Sequence, residues 1–190
     1  MSDKEKHRWP RADAVAVARE LVDAIQPHCE RLVVAGSLRR RKRTIGDVEI
    51  IYMTRIDVRP AGDDLFRTEQ VRIAEEAIQR LEEAQVLVRR LNTRGNETYG
   101  PKNKLMVHVA SGMPVDLFAA TDDVWHNYLV CRTGGVQNNI RIAQAAQAMG
   151  WKWNPYGVGF SRPGDVHQVN SEREVFDFVG LDYVEPWERE

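Results

Sequence analysis

A chain of 190 residues that is 43% hydrophobic and 29% charged has the composition of a soluble globular protein, long enough for one large domain or two small ones. A formal charge of −1 excludes a generally basic, polyanion-coating surface, and no apolar run approaches the length of a membrane span. The polar stretch Met1 to Arg8 has no secretory-signal character, and two cysteines with no CxxC spacing, Cys29 and Cys131, imply a reducing, cytoplasmic setting rather than a disulfide framework.

After a tail over residues 1–9, Ala14, Val17, Ala18, Leu21, Val22 and Ile25 recur at helical spacing and predict an amphipathic helix from Arg11 to Ile25, punctuated by Pro27. Arg31 to Ala35 reads as a buried strand running into a Gly36-Ser37 turn, and Val48 to Thr54 as a second strand. Pro60 and Gly62 predict a loop over 58–64, followed by a helix from Thr68 to Ala84. Strands are expected at 86–91, 104–110 and 113–119, with Gly112 turning between the last two. A boundary is expected near Thr121-Asp122-Asp123. Beyond it come a helix from Val136 to Met149, short aromatic strands over 151–160, and a last helix opened by a Ser171–Glu174 capping box. The fold class predicted is α+β: a mixed or antiparallel sheet with helices packed on it, then a smaller C-terminal unit.

Charge is unevenly spread. Residues 1–60 carry 13 Lys/Arg against 9 Asp/Glu, and residues 121–190 carry 6 against 10, so a polyanion would meet a local basic patch. That patch is Arg39-Arg40-Arg41-Lys42-Arg43, between Gly36-Ser37 and Asp47-Val48-Glu49. Residues i and i+2 of a strand share a face, so Asp47 and Glu49 project together. Two adjacent carboxylates repel unless a cation holds them, and hard divalent ions take oxygen ligands. The pattern points to a metal-bound triphosphate site, with Asp116 in Pro114-Val115-Asp116-Leu117-Phe118 as the best third carboxylate.

Gly36-Ser37-Leu38-Arg39-Arg40, then Gly46-Asp47-Val48-Glu49-Ile50, resembles the signature of the family X DNA polymerases, the DNA polymerase beta-like nucleotidyltransferases. Thr133-Gly134-Gly135-Val136-Gln137-Asn138-Asn139-Ile140-Arg141 resembles that family's downstream turn and helix, and the stretch from Val169 to Glu188 its last helix and tail. The resemblance implies a palm over 10–120 and a nucleotide-closing subdomain over 121–190. It implies two Mg²⁺ ions, with Mn²⁺ as an alternative, on Asp47, Glu49 and Asp116. A deoxynucleoside triphosphate would be held by Gly36, Ser37, Arg40, Gly46, Thr133, Gly134 and Asn139. Gapped or primer–template DNA would meet Arg141 and Lys104.

The chain departs from the family pattern at several points. Glu49 stands where the polymerases have Asp, Cys131-Arg132 replaces an aromatic pair, and Pro114 replaces an arginine that could orient Asp116. Only about nine residues precede the first palm-like helix, which implies a minimal form without the N-terminal lyase and helix-hairpin-helix domains. Short-gap DNA repair synthesis is the expected activity. Two rivals are nucleotidyl transfer to RNA, protein or a small molecule, and a catalytically silent nucleotide- or DNA-binding fold. The downstream motif argues against the first rival, the three carboxylates against the second.

Overall fold

The computed structural model describes residues 7–61 and 64–190. The first part of the expected tail, residues 1–6, and Gly62-Asp63 of the expected loop lie outside the described residues. Trp9–Pro10 (β1) leads into helix Arg11–Ile25 (α1), strand Cys29–Val34 (β2), a single helical turn Gly36–Arg39 (α2) and the short strand Thr44–Ile45 (β3) that pairs with β1. Strand Val48–Thr54 (β4) follows, then Ile56–Ala61 (β5), Asp64–Arg72 (β6), helix Ile73–Glu83 (α3) and strands Leu87–Arg89 (β7), Asn103–His108 (β8) and Met113–Ala119 (β9).

One five-stranded mixed sheet, in the order β2-β4-β9-β8-β7, positions the chemistry. Only β4 and β9 are parallel; the other neighbours are antiparallel. Period-2 alternation sorts the residues of β4 and β9 onto two faces. Val48, Ile50, Tyr52, Val115 and Leu117 join Ala14, Leu21, Ile25, Ala74 and Ile78 from α1 and α3 in the main core. Glu49, Ile51, Asp116 and Phe118 face the other way. There the apolar pair, Ile51 and Phe118, receives helix Trp125–Thr133 (α4) through Trp125, Tyr128 and Leu129. The two carboxylates lie on this same face, on the N-terminal side of that apolar contact.

Past α4 come helix Val136–Ala148 (α5), the antiparallel strands Lys152–Trp153 (β10), Gly159–Arg162 (β11) and Asp165–Gln168 (β12), and helix Glu172–Asp177 (α6). A separate core of Val130, Ile142, Trp153, Phe160, Val175 and Phe176 holds this C-terminal part together. Ser171 caps α6, its hydroxyl accepting from Glu174 N–H at 3.0 Å, while the Glu174 carboxylate accepts from Asn170 N–H, one residue before the capping position.

Two predicted elements need correction. The expected loop at 58–64 and the first turn of the expected helix at 68–72 belong instead to the β5–β6 hairpin, where Val58 pairs with Gln70 and Pro60 with Thr68. A two-stranded ribbon tolerates proline because each of its strands is an edge, and Val71 and Ile73 fit a strand end as well as a helical pattern. Helix α4 was not predicted. Its buried residues include polar Asn127 and Thr133, which blur an amphipathic stripe.

Candidate active site

Parallel pairing of β4 with β9 sets Glu49 directly opposite Asp116. Asp47, two residues before Glu49, extends the row. Burial is the largest influence on Glu49, and the charges of Asp47 and Asp116 add to it, pushing its carboxyl from 4.5 up to about 8. Arg132 and Arg40 act against that rise. Burial raises Asp116 as well, opposed chiefly by Arg90. A row of crowded carboxylates supplies the oxygen donors that a hard divalent cation takes, although Arg40, Arg90 and Arg132 already offset part of its charge. The row is not a ready-made shell: among the described residues no three His, Cys, Asp or Glu side chains are grouped closely enough to hold an ion. Glu49 lies against Gly36, and Asp116 Oδ1 accepts from the Arg90 guanidinium at 2.5 Å.

Gly36 follows the end of β2 with φ +58°, and a Cβ there would come within 1.9 Å of Glu49 Oε2. Only glycine combines that backbone with that approach. Ser37, next in the turn, is buried, and its Oγ has no hydrogen-bond partner. Gly46 is buried just ahead of Asp47.

The basic cluster is not a solvated loop. Arg39 grips Glu172 with two bonds, 2.5 and 3.0 Å, and donates to Thr133 Oγ1 at 2.6 Å. Arg40 donates to the Thr133 carbonyl, Arg41 stacks 4.2 Å over Trp187, and Lys42 pairs with Glu190. Four consecutive residues of the basic cluster, Arg39 to Lys42, thus hold the C-terminal part against the sheet. Burial lowers Arg40 against the opposing pull of Glu49 and Glu190.

A cavity of about 270 Å³ opens between the carboxylate row and the Thr133-Gly134-Gly135 turn. Its lining includes Arg40, Glu49, Arg132, Gly134, Asn139 and Tyr156. Gly134 has φ +36°, and a Cβ there would stand 2.8 Å from the Cys131 carbonyl. Asn139 Nδ2 donates to that carbonyl at 2.9 Å, leaving its Oδ1 without a partner. Unpaired buried polar atoms are rare in folded proteins. Of the nine among the described residues, five belong to Ser37, Arg40, Arg90, Arg132 and Asn139, which gathers much of the shortage of partners around the carboxylate row and this cavity.

Three expected site residues sit differently. Lys104 is 4% exposed, pairs with Glu75 and donates to the Gly100 carbonyl, so it offers nothing to a DNA phosphate. Its strand position faces the helices, opposite to Asp116. Thr133 is fully buried, with its hydroxyl and carbonyl taken by Arg39 and Arg40, so its side chain has no surface for a nucleotide. Arg141 is exposed on α5 and lines a separate cleft with Gln137, Gln144 and Glu188.

Two guanidinium groups were missed. Arg90 replaces from outside the motif the arginine that Pro114 removed: its backbone N–H pairs with the Leu105 carbonyl, and Leu105 lies opposite Asp116. Arg132 lies 3.6 Å over the Phe118 ring and 5.0 Å from that of Tyr156. Arg132 was visible as an anomaly of the motif, whereas nothing local marked Arg90.

The family model for the DNA polymerase beta palm matches residues 8–108, and that for the DNA polymerase beta thumb matches residues 128–190. A curated relative, the DNA polymerase/3'-5' exonuclease PolX of Bacillus subtilis (strain 168), is 26% identical over 189 residues, covering 98% of this chain and 29% of the relative. The chain therefore spans less than a third of that relative's length. No helix among the described residues is long and apolar enough to cross a membrane.

Proposed function

We propose that this chain, which belongs to the DNA polymerase beta-like family X of polymerases, adds a deoxynucleotide to a primer 3′-hydroxyl on gapped template DNA. The observation that carries the proposal is the β4–β9 register, which sets Glu49 opposite Asp116 at the edge of a cavity bordered by unpaired donors. In this reading residues 10–120 are the palm and 121–190 close over the nucleotide. Asp47, Glu49 and Asp116 would hold Mg²⁺. When bound, Mg²⁺ lowers the pKa of the 3′-hydroxyl and neutralises the triphosphate.

The chain's own residues do the rest. Ser37 Oγ and the uncommitted donors of Arg40 receive the outer phosphates, to which the planar guanidinium fork is suited. The Gly134 backbone lies beside the sugar, and the unpaired Asn139 Oδ1 accepts from the edge of the base. Arg141 on the exposed face of α5 meets the template strand. The 3′-oxygen bonds to the α-phosphorus as the bond to pyrophosphate breaks, and the hydroxyl proton passes to water.

A gapped-duplex assay with separate dNTPs and NTPs tests this function. Templated, Mg²⁺-dependent extension that disappears in Asp47→Ala and Asp116→Ala, both still folded, is the expected result. Full activity in either variant refutes the carboxylate roles. A wild-type protein inactive on every nucleic acid but able to label a protein or small molecule moves the reading to the non-DNA acceptor.

A further inference from the structure

Arg132 is the cation of the site whose guanidinium has no acceptor. A guanidinium carries five N–H donors, and folded proteins place them on acceptors. Arg39, Arg40, Arg90 and Arg189 each do so. The Arg132 side chain makes no hydrogen bond or ion pair to any described residue, and its Nε is buried without a partner. Aromatic faces hold it instead: Phe118 at 3.6 Å, Tyr156 at 5.0 Å and Tyr128 at 5.4 Å. Each such contact contributes on the order of 0.5–2 kcal/mol, enough to fix the group while leaving its donors open.

The chain builds this box deliberately close to the carboxylates. Phe118 lies two residues past Asp116 on β9, so both side chains leave the same face of the sheet. Tyr128 is one helical turn before Arg132 on α4. Tyr156 stands in a turn pinned by the fully buried Asn127, which donates to the Asn154 and Gly157 carbonyls and accepts from Trp153 Nε1. Arg132 lines the 270 Å³ cavity together with Glu49, on the Gly134 side of the row.

We propose that Arg132 is a catalytic residue that receives the non-bridging oxygens of the incoming nucleotide's α-phosphate. The assignment rests on the polymerase reading above and refines it. Ser37 and Arg40 lie on the α2 turn and take the outer phosphates. Arg132, on the neighbouring helix α4 and held beside Phe118, lines the same cavity as Glu49, next to the carboxylate row where the reacting phosphorus must sit. Two open donors of its fork can span two oxygens of one phosphate, and their charge favours the transition state, in which negative charge on those oxygens is redistributed.

The test compares wild type, Arg132→Gln, Arg132→Lys and Arg40→Gln. Affinities for dATP, dAMP and inorganic tripolyphosphate are measured by NMR titration with Mg²⁺ and no primer, so that binding is read apart from turnover. Arg132→Gln is expected to weaken dATP and dAMP about tenfold each and to leave tripolyphosphate unchanged, with Lys restoring part of the loss. Arg40→Gln is expected to weaken tripolyphosphate and dATP but not dAMP. In single-turnover extension Arg132→Gln should be slowed more than its dATP affinity falls. Unchanged nucleotide affinities, or an equal loss for tripolyphosphate, would overturn the α-phosphate assignment while wild-type extension keeps the polymerase reading intact. A wild-type protein that neither binds nucleotide nor extends primers overturns both. Should Arg132→Gln lose its fold by near-UV circular dichroism, the comparison passes to Arg132→Lys, where unchanged affinities and rate overturn the proposal.

Discussion

Gly36→Ala separates the cost of a strained backbone from the cost of a misplaced carboxylate. The residue sits at φ +58°, where an L side chain costs roughly 1–2 kcal/mol. For a domain of this size that is a fall of about 3–6 °C in Tm, well short of unfolding. The functional cost is larger. The new Cβ would stand 1.9 Å from Glu49 Oε2, against a comfortable separation of about 3.5 Å, so the carboxylate must retreat by about 1.5 Å. A misplacement of about 1 Å at a reacting centre costs on the order of 100-fold. Primer-extension kcat/KM should therefore drop at least 100-fold in a protein that calorimetry shows to be folded. Glu49→Asp in the same background shortens the side chain by one methylene and withdraws it from the Cβ. The double variant should recover part of the lost rate, a coupling that independent effects would not produce. An alanine variant with near-wild-type kcat/KM would refute the close packing of Glu49 on Gly36 as a requirement of the site.

Three further outcomes follow from charges whose surroundings the structure defines. Glu49 loses its proton near 8 when folded and near 4.5 in the reference state, so stability should fall as pH rises from 4.5 through 8, by a few kcal/mol at most; Glu49→Gln should raise Tm at pH 8.5 in metal-free buffer, and Mg²⁺ should raise that of wild type but not of the variant, whereas equal Tm values throughout would contradict the crowding of the row. Burial alone would raise Glu172, but the bonds from Arg39 and Arg189 outweigh it and hold it low, so its contribution is present above about pH 4.5 and lost on further acidification; Glu172→Ala strands the fully buried Arg189 and should cost about 3 kcal/mol at pH 7 by denaturant unfolding. Lys104→Met should alter stability by more than 1 kcal/mol, through the loss of the Glu75 pair, while leaving the salt dependence of DNA binding unchanged; a slope reduced by about one would restore Lys104 as a phosphate contact.

Much of the sheet was readable because its periodicity is local. The strands Val48–Thr54 and Met113–Ala119 and the helix Arg11–Ile25 fall where the apolar spacing placed them, since α1 lays a helical stripe on the main core and every second residue of the two strands does the same. The β5–β6 hairpin was not readable in the same way. It packs little of itself into that core, with Ile56 and Val58 48% and 60% exposed, so no alternation was imposed on its sequence. Helix α4 failed for a different reason: it buries polar side chains, Asn127 and Thr133, whose partners come from distant segments.

The site divides along the same line. Gly36-Ser37, Asp47 and Glu49 lie in one short stretch and announce themselves, because a turn, a strand and their spacing are enough to aim them. The cations that answer them are set by topology. Arg90 reaches Asp116 only because β7 lies two strands away across β8, and Arg132 reaches the row only because α4 docks on Ile51 and Phe118. Pro114 and Cys131-Arg132 looked like losses when read along the chain. In three dimensions Arg90 supplies the guanidinium missing at 114, and Arg132 brings a second one to the cavity. A sequence that supplies a charge from another element of the fold keeps the local field while breaking the motif, so the residues to test first are those that hydrogen-bond or face the carboxylates, whatever their distance along the chain.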